Sequence, residues 1–236
     1  MYRAHKCLAV VPARAGSKGI PDKNLRRIGD RSLVRLATDF AKKASFFDFI
    51  CVSTDSLAIH EEVPSFCFFS RPPHLATDHA RSVDVVQHAL NFFLNVKKEP
   101  FDLVILLEPT SPFRYLEDLK SGIDLLIENG FDSVVSCSRV GDSHPVRMKM
   151  LMEDLTLRDF WEGGEPEGLR RQDQSPLFLR NGNFYITRAH LLSTEDATLY
   201  GKTTGGFVSS RIASSINIDN QIDLTLAQQL IREIEY

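Results

Sequence analysis

Pro12-Ala13-Arg14-Ala15-Gly16-Ser17-Lys18-Gly19-Ile20-Pro21-Asp22-Lys23-Asn24-Leu25 is a cationic, glycine-containing stretch that follows directly on the apolar run Cys7-Leu8-Ala9-Val10-Val11. The apolar run has the length and composition of a strand that is buried on both faces. Gly16 and Gly19 allow backbone N–H groups to turn inward, and Arg14, Lys18 and Lys23 supply positive charge. A loop of this kind after a buried strand predicts a site for a polyphosphate, and therefore a protein that handles a nucleotide.

Other phosphate-binding loops have different spellings. A Walker A loop requires Gly-Lys-Ser/Thr at the start of a helix, and a dinucleotide fingerprint requires G-x-G-x-x-G. Residues 14–19 read Arg-x-Gly-Ser-Lys-Gly instead, and neither pattern occurs. The alternative is a surface turn rich in lysine and glycine, which is disfavoured because a turn with so many cations rarely follows a buried strand.

Length and composition narrow the class of protein. The chain has 236 residues and a formal net charge of −3, which fits one α/β domain, with or without an insertion, and argues against a nucleic-acid partner. No apolar run approaches the ~20 residues of a membrane span. Cysteines at 7, 51, 67 and 137 lie in apolar or aromatic runs without CxxC spacing. We therefore expect a cytoplasmic protein with reduced, buried cysteines and no membrane partner.

Apolar runs alternate with amphipathic stretches, which predicts an α/β fold with a mostly parallel sheet and helices on both faces. The predicted strands are 6–11, 49–53, 65–69, 103–107, 133–138, 182–186 and 215–218. The predicted helices are 32–43, 57–62, 82–96, 116–129, 189–192 and 220–233. Ligand chemistry in such sheets collects at the carboxyl ends of strands, and Asp22, Asp55 and Asp78 follow strand or loop ends.

The alternation stops after residue 139. The following segment is polar and irregular, with Gly163-Gly164 and a charged cluster at 170–173. A long structureless loop is unusual inside a compact domain. Within a single domain, 1–236, we therefore expect an insertion at 140–193 that forms a lid or a subunit-contact arm.

A second string, Glu108-Pro109-Thr110-Ser111-Pro112-Phe113-Arg114, follows the predicted strand 103–107. Its polar groups are expected at the same sheet edge as the cationic loop. The two prolines restrict the turn, and the hydroxyl and guanidinium groups offer hydrogen-bond donors. The alternative explanation is that this string only forms the turn that leads into the next predicted helix.

These strings, together with Asn181-Gly182-Asn183-Phe184-Tyr185-Ile186 and Ser215-Ile216-Asn217-Ile218-Asp219-Asn220-Gln221-Ile222-Asp223-Leu224, resemble the motifs of the CMP-sialic acid synthetase (acylneuraminate cytidylyltransferase) family, with the legionaminic acid branch as a close possibility. The resemblance spans residues 10–227. It implies a three-layer, Rossmann-like nucleotidyltransferase fold and a homodimer whose arm at 140–193 helps to cover the sugar. It also implies the reaction of CTP with a nonulosonic acid to give a CMP-sugar and pyrophosphate, with Mg²⁺, or Mn²⁺, as cofactor.

Residue roles follow from the same resemblance. It implies catalytic roles for Arg14, Lys18, Lys23 and Asp219. The nucleotide-binding residues would be Ala13, Arg14, Ala15, Gly16, Ser17, Lys23, Asn24, Arg71, Ala80 and Ser82. The sugar-binding residues would be Glu108, Thr110, Ser111, Arg114, Arg147, Arg171, Gln172 and Tyr185. The metal ligands would be Asp219, Asn217 and Asp223, although Asp223 is equally explained as a carboxylate at a helix N-terminus.

Glu108 stands where the family usually has glutamine, at a position that touches the sugar. An ionised carboxylate only accepts hydrogen bonds, so it favours a sugar with amide N–H or hydroxyl donors. Legionaminate, a 5,7-diamino sugar, is therefore a candidate beside N-acetylneuraminate. The alternatives are a synthetase of the CMP-3-deoxy-octulosonate type and a noncatalytic protein that binds nucleotide sugars.

Overall fold

The computed structural model describes residues 1–232; the side chain of Arg171 and residues 233–236, which include the last residue of the predicted helix 220–233, lie outside the described part. The strands are β1 Cys7–Pro12, β2 Arg27–Ile28, β3 Arg31–Ser32, β4 Phe49–Ser53, β5 Leu103–Leu106, β6 Ser133–Arg139, β7 Lys149–Leu151, β8 Leu157–Asp159, β9 Phe178–Arg188 and β10 Thr204–Val208. Six of them form a central sheet with the order β10-β6-β9-β5-β1-β4. β1 is parallel to β4 and β5, β10 is parallel to β6, and β9 runs antiparallel to β5 and β6.

Helices cover both faces of the sheet, as the sequence predicts. They are α1 Leu33–Ala44, α2 Leu57–Glu62, α3 Ser82–Phe92, α4 Leu116–Glu128 and α5 Gln221–Leu230. Side chains alternate along β1, so that Ala9 and Val11 pack with α1 and α4, whereas Leu8 and Val10 pack with α3. The result is a three-layer α/β sandwich. Within residues 1–232, every helix is too short or too polar to cross a bilayer.

The structure corrects two predicted strands, adds β10 to the central sheet and adds the short strands β2, β3, β7 and β8 outside it. Residues 64–66 form a 3-10 turn with Pro64 at its first position, and the segment that follows makes only a bridge from Ser70 to Thr54. Residues 212–215 also form a 3-10 turn, and Ile218 then donates a single backbone hydrogen bond to Thr110. The added strand β10 contains Gly205 and Gly206, which depress strand propensity. It nevertheless forms, because packing overrides propensity.

The helix predicted at 82–96 changes character at its end. After α3 the chain continues as one π-helical turn over Phe93–Lys97. Phe93 is fully buried and contacts Phe49, Phe68 and Phe101. The aromatic packing at this point coincides with the wider turn. The predicted helix 189–192 is a 3-10 helix, Ala189–Leu192.

All four cysteines are unbridged, as expected. Cys7 and Cys51 are fully buried within the core, and Cys67 and Cys137 are half-buried. Burial raises the pKa of the Cys67 thiol to about 11, so it stays protonated at neutral pH.

The irregular segment after β6 forms an arm outside the central sheet. It contains the hairpin of β7 and β8 and two 3-10 turns, Pro145–Arg147 and Arg171–Asp173. Its apolar side chains, with those at the start of β9, are strongly exposed: Met148, Met150, Leu151, Leu155, Leu157, Phe160, Trp161, Phe178 and Leu179. This arm presents a large apolar surface to its surroundings.

Candidate active site

A cavity of about 540 Å³ opens at the carboxyl edge of β1, β4 and β5. Its wall combines the cationic loop, the segment before α3, the turn after β5 and the segment before α5. Parallel strands bring their carboxyl ends to one edge, which is why segments distant in sequence meet here. The predicted residues that line it are Arg14, Ser17, Lys18, Lys23, Asn24, Arg71, Ala80, Ser82, Glu108, Thr110, Asn217 and Asp219.

The cationic loop packs directly on the segment before α5. A Cβ at Gly19 would lie 2.4 Å from the backbone oxygen of Asp219, so the close approach requires glycine. Lys23 Nζ donates to the backbone oxygen of Ile218 at 3.0 Å and to Asp219 Oδ1 at 3.1 Å. One predicted phosphate cation is thus fixed beside the predicted metal ligand.

The other two loop cations share one carboxylate. Asp78 accepts a hydrogen bond from Arg14 Nη2 through Oδ1, and its Oδ2 lies 2.7 Å from Lys18 Nζ. The hydrogen bond from Lys18, with that from Arg14, lowers the pKa of Asp78. The backbone N–H of Ala15 donates to Asp55 Oδ1 at 2.9 Å. Carboxylates of the chain therefore bind the hydrogen-bond donors and cations that the sequence analysis assigns to phosphates. Ala13, Ala15 and Gly16 do not line the cavity among the described contacts, and Ala13 is fully buried.

Arg71 lines the side of the cavity that the sequence analysis assigns to the nucleotide. It is 5% exposed and donates to the backbone oxygen and Oγ of Ser53 at 2.6 and 3.1 Å. Burial lowers the pKa of its guanidinium to about 10, which leaves it charged at neutral pH. Asn24 holds the loop itself by donating to the backbone oxygen of Arg14 at 3.0 Å.

Ser111 and Arg114 lie beneath the wall rather than in it. Ser111 Oγ donates to the backbone oxygen of Asn181 at 2.7 Å, and Arg114 donates to the backbone oxygens of Asn183 and Glu108. Both side chains are buried in the single chain and support the turn, and their predicted contact with the sugar stays a prediction. They fix the turn that carries Glu108. Burial raises the pKa of Glu108, and the nearby Arg114 and Arg180 oppose this shift.

The three predicted metal ligands have different environments. Asn217 Oδ1 is buried and has no hydrogen-bond partner among the described residues. Asp219 lines the cavity next to it and is largely exposed. Asp223 Oδ2 instead accepts from the backbone N–H groups of Asp219 and Asn220 in a capping box at the start of α5. Asp223 therefore caps α5, as the alternative explanation expects. Within residues 1–232, no group of three or more His, Cys, Asp or Glu side chains is arranged to hold a metal ion.

A model of the Cytidylyltransferase family matches residues 8–233. The chain belongs to the cytidylyltransferase family. Its relatives include the post-translational flagellin modification protein B of Campylobacter coli, which is 27% identical over 96% of this chain and 95% of its own length. The CMP-N,N'-diacetyllegionaminic acid synthase of Legionella pneumophila is 30% identical over 96% of each chain. The N-acylneuraminate cytidylyltransferase of Streptococcus agalactiae serotype V is 30% identical over 92% of this chain, which spans 51% of that relative.

Solved structures of other cytidylyltransferases have the same fold. A CMP:2-keto-3-deoxy-manno-octonic acid synthetase complexed with CTP gives a TM-score of 0.67 at 16% identity, covering 97% of this chain and 99% of that one. The 4-diphosphocytidyl-2C-methyl-D-erythritol synthase of Anaerococcus prevotii gives 0.61 at 15% identity, covering 97% and 96%. The predicted nucleotidyltransferase fold is thus confirmed.

This cytidylyltransferase has a second cavity, of about 330 Å³, whose wall shares Ser82 and Glu108 with the first. Tyr185 lines it, on the sheet face opposite Phe184 and Ile186, as the sequence predicts. Two residues that the sequence analysis missed, Arg180 and Tyr200, also line it, and Arg180 donates to Tyr200 Oη.

The side-chain alternation of a regular strand explains why the sequence analysis missed Arg180. Five positions separate it from Tyr185, and an odd spacing in a regular strand places side chains on opposite faces. Here Tyr185 pairs with Val135 and Arg180 with Cys137, so β9 bulges between them and both side chains reach the same cavity. The glycine of the Asn181-Gly182 pair, with φ of 75°, is the available sequence signal for that bulge.

Arg147 and Gln172, two of the predicted sugar residues, line neither cavity of the single chain. Arg147 pairs with Asp142 and Glu165, and Gln172 borders a separate cavity with Arg139 and His144. The side chain of Arg171 lies outside the described residues.

Proposed function

We propose that this cytidylyltransferase transfers the cytidylyl group of CTP to a nonulosonic acid and releases pyrophosphate. The observation that carries the proposal is the convergence of Arg14, Lys18, Lys23 and Asp219 on one cavity that adjoins a second, sugar-sized cavity through Glu108. Related proteins named N-acylneuraminate cytidylyltransferase and CMP-N,N'-diacetyllegionaminic acid synthase support this substrate class.

Different residues would serve the two parts of CTP and the sugar. Arg71, Ala80 and Ser82 lie on the side where the cytosine and ribose would bind, and the cationic loop lies where the triphosphate would extend. The C2 hydroxyl oxygen of the sugar would attack the α-phosphorus and release its proton to solvent, while the bond from that phosphorus to the bridging oxygen breaks and its electron pair leaves with pyrophosphate. Arg14, Lys18 and Lys23 would stabilise the negative charge that gathers on the departing pyrophosphate.

Asn217 and Asp219 fit a hard divalent cation. A buried amide oxygen without a partner among the described residues and a neighbouring carboxylate are oxygen donors of the kind that Mg²⁺ or Mn²⁺ takes, usually together with substrate phosphates. When bound there, such an ion supplies charge neutralisation at the α-phosphate and lowers the pKa of the attacking hydroxyl. Asp223 would position Asp219 through its backbone N–H rather than ligate the ion.

Glu108 would select the sugar. Its carboxylate lies between the two cavities, where an ionised oxygen can accept from an amide N–H or hydroxyl of the sugar. Arg180 brings positive charge to the same cavity and can pair with the carboxylate of a keto-acid sugar. Legionaminate and N-acetylneuraminate are the best candidates.

A second copy of the chain would complete the enzyme. The exposed apolar surface of the arm is of the kind that marks a protein interface. A homodimer built through it would bring Arg147, Arg171 and Gln172 towards the sugar cavity of the partner. The variant Leu157→Asp should yield monomers in light scattering, whereas Leu57→Asp, at an exposed leucine on α2, should not. A monomeric wild-type chain would exclude this assembly.

The test of the function is pyrophosphate release from each of the four nucleoside triphosphates with N-acetylneuraminate, legionaminate, pseudaminate or 3-deoxy-octulosonate, in the presence of Mg²⁺. We expect release only with CTP and a nonulosonic acid. Release with 3-deoxy-octulosonate alone would support the octulosonate alternative. CTP binding without release for any sugar would support the noncatalytic alternative.

Glu108→Gln tests the selection of the sugar in the same assay. If the carboxylate favours a second amide donor, the variant should lose preference for legionaminate over N-acetylneuraminate. An unchanged ratio of kcat/KM values would show that Glu108 does not set specificity.

A further inference from the structure

Asp78 bridges the two walls of the first cavity. It lies between the 3-10 turn Pro73–Leu75 and α3, whereas its partners Arg14 and Lys18 lie on the loop after β1. One carboxylate oxygen faces each cation, which is the arrangement that two oxygens of a phosphate would adopt. The carboxylate thus stands in the position of an anionic ligand.

Water or another anion can replace Asp78 in its contacts with Arg14 and Lys18. The side chains of Arg14, Lys18 and Asp78 are 28%, 79% and 32% exposed, so water competes for each pair. Lys23 differs, since its side chain is only 16% exposed and donates to the backbone of Ile218 on another segment, whereas Arg14, among the described residues, donates only to backbone oxygens of its own loop besides Asp78. The loop therefore has one fixed cation and two cations that a stronger anion can capture.

We propose that Asp78 is an internal competitor of the phosphates: it holds Arg14 and Lys18 until a triphosphate displaces it, and it takes them back as pyrophosphate leaves. This inference rests on the proposed function of the loop as the phosphate site. Its consequence is weaker binding of pyrophosphate than two bare cations would give, which favours product release. The single negative charge of Asp78 offsets half of the charge of the two cations, so a triphosphate still prevails.

The test compares Asp78→Asn with the wild type by calorimetric titration with pyrophosphate, CTP and cytidine. Loss of two partly exposed ion pairs should tighten binding of pyrophosphate and CTP by about three- to tenfold. Cytidine has no phosphate, so its affinity should not change. The difference between the proteins should shrink at high ionic strength, because salt screens exposed charges.

Glu128→Gln is the matched control. It also removes one carboxylate from an exposed ion pair, with Arg3, and changes the net charge by the same amount at a site outside the cavity. Its affinity for pyrophosphate should equal that of the wild type. Asp78→Ser is a second variant in case the asparagine form does not fold, and circular dichroism would establish the fold of each.

The outcomes separate the inference from the function on which it rests. Unchanged or weaker pyrophosphate binding by folded Asp78 variants would overturn the inference and leave the phosphate site standing. Absence of CTP and pyrophosphate binding by the wild type would overturn both. A stronger inhibition of turnover by pyrophosphate in Asp78→Asn would support the inference.

Discussion

Gly19→Ala offers a quantitative test of how the cationic loop meets the segment before α5. The added Cβ would lie 2.4 Å from the backbone oxygen of Asp219, and real Cβ contacts essentially never fall below 3.0 Å, so the two segments must separate by at least 0.6 Å. The oxygen of Asp219 belongs to the backbone, so no side chain can rotate to relieve the contact. The displacement falls on the segment that holds Lys23 beside Asp219.

Misplacement of catalytic groups by about 1 Å can cost about a hundredfold in rate. We therefore expect kcat/KM for pyrophosphate release to fall by about two orders of magnitude, equivalent to about 2.7 kcal/mol of transition-state stabilisation. The melting temperature should change little, because the contact lies at the edge of the fold.

Gly130→Ala is the control for this substitution. Gly130 has a φ of 65° and open space around its Cβ position, so alanine there adds backbone strain without a clash. The strain is about 1–2 kcal/mol and should lower the melting temperature by a few degrees without changing activity. If Gly19→Ala retains activity within about threefold of the wild type, the proposed coupling between the loop and Asp219 is wrong.

Three further substitutions test the buried carboxyl, the helix cap and the metal site. Because burial raises the pKa of Glu108, ionisation of this carboxyl opposes folding, and Glu108→Gln should melt at a higher temperature than the wild type at about pH 8. The gain should vanish below about pH 4, where the carboxyl is protonated in the folded and the unfolded state. An equal gain at both pH values would contradict this account. Asp223→Asn keeps an oxygen acceptor for the capping box and should retain kcat within about twofold. Asp223→Ala loses that acceptor and should cost about 1 kcal/mol of stability. A loss of Mg²⁺ dependence in the asparagine variant would instead identify Asp223 as a metal ligand. Asn217→Asp adds charge beside Asp219 and should tighten Mn²⁺ binding, measured by electron paramagnetic resonance, about tenfold; unchanged binding would remove residue 217 from the proposed metal site.

Local pattern was sufficient for much of the fold. The buried run of β1, the periodicity of α1 and α4 and the loop between β1 and β2 are all properties of short windows, and the structure confirms them. The two motif strings after β1 and β5 were likewise placed at one sheet edge, because parallel strands leave no other arrangement.

The misses have identifiable physical causes. β10 contains two glycines that weaken its strand signal, yet a Cβ at Gly205 would lie 2.6 Å from the ring of Phe131, so the packing of this ring against β10 favours a residue that strand propensity disfavours. The bulge in β9 changes which residues share a face, and it depends on the pairing partner in β6 rather than on β9 alone.

The sequence by itself determined the layered α/β fold, the cationic loop and the membership of a nucleotide-using family, because these depend on composition, periodicity and motifs within short segments. Only the tertiary structure decided which polar groups face the cavity and which support it from below. Ser111 and Thr110 both carry a hydroxyl group, and they differ in burial. The pairing of Asp78 with Arg14 and Lys18 also joins segments at least 60 residues apart. Electrostatic partnership depends on distance in space, which the order of residues along the chain does not specify.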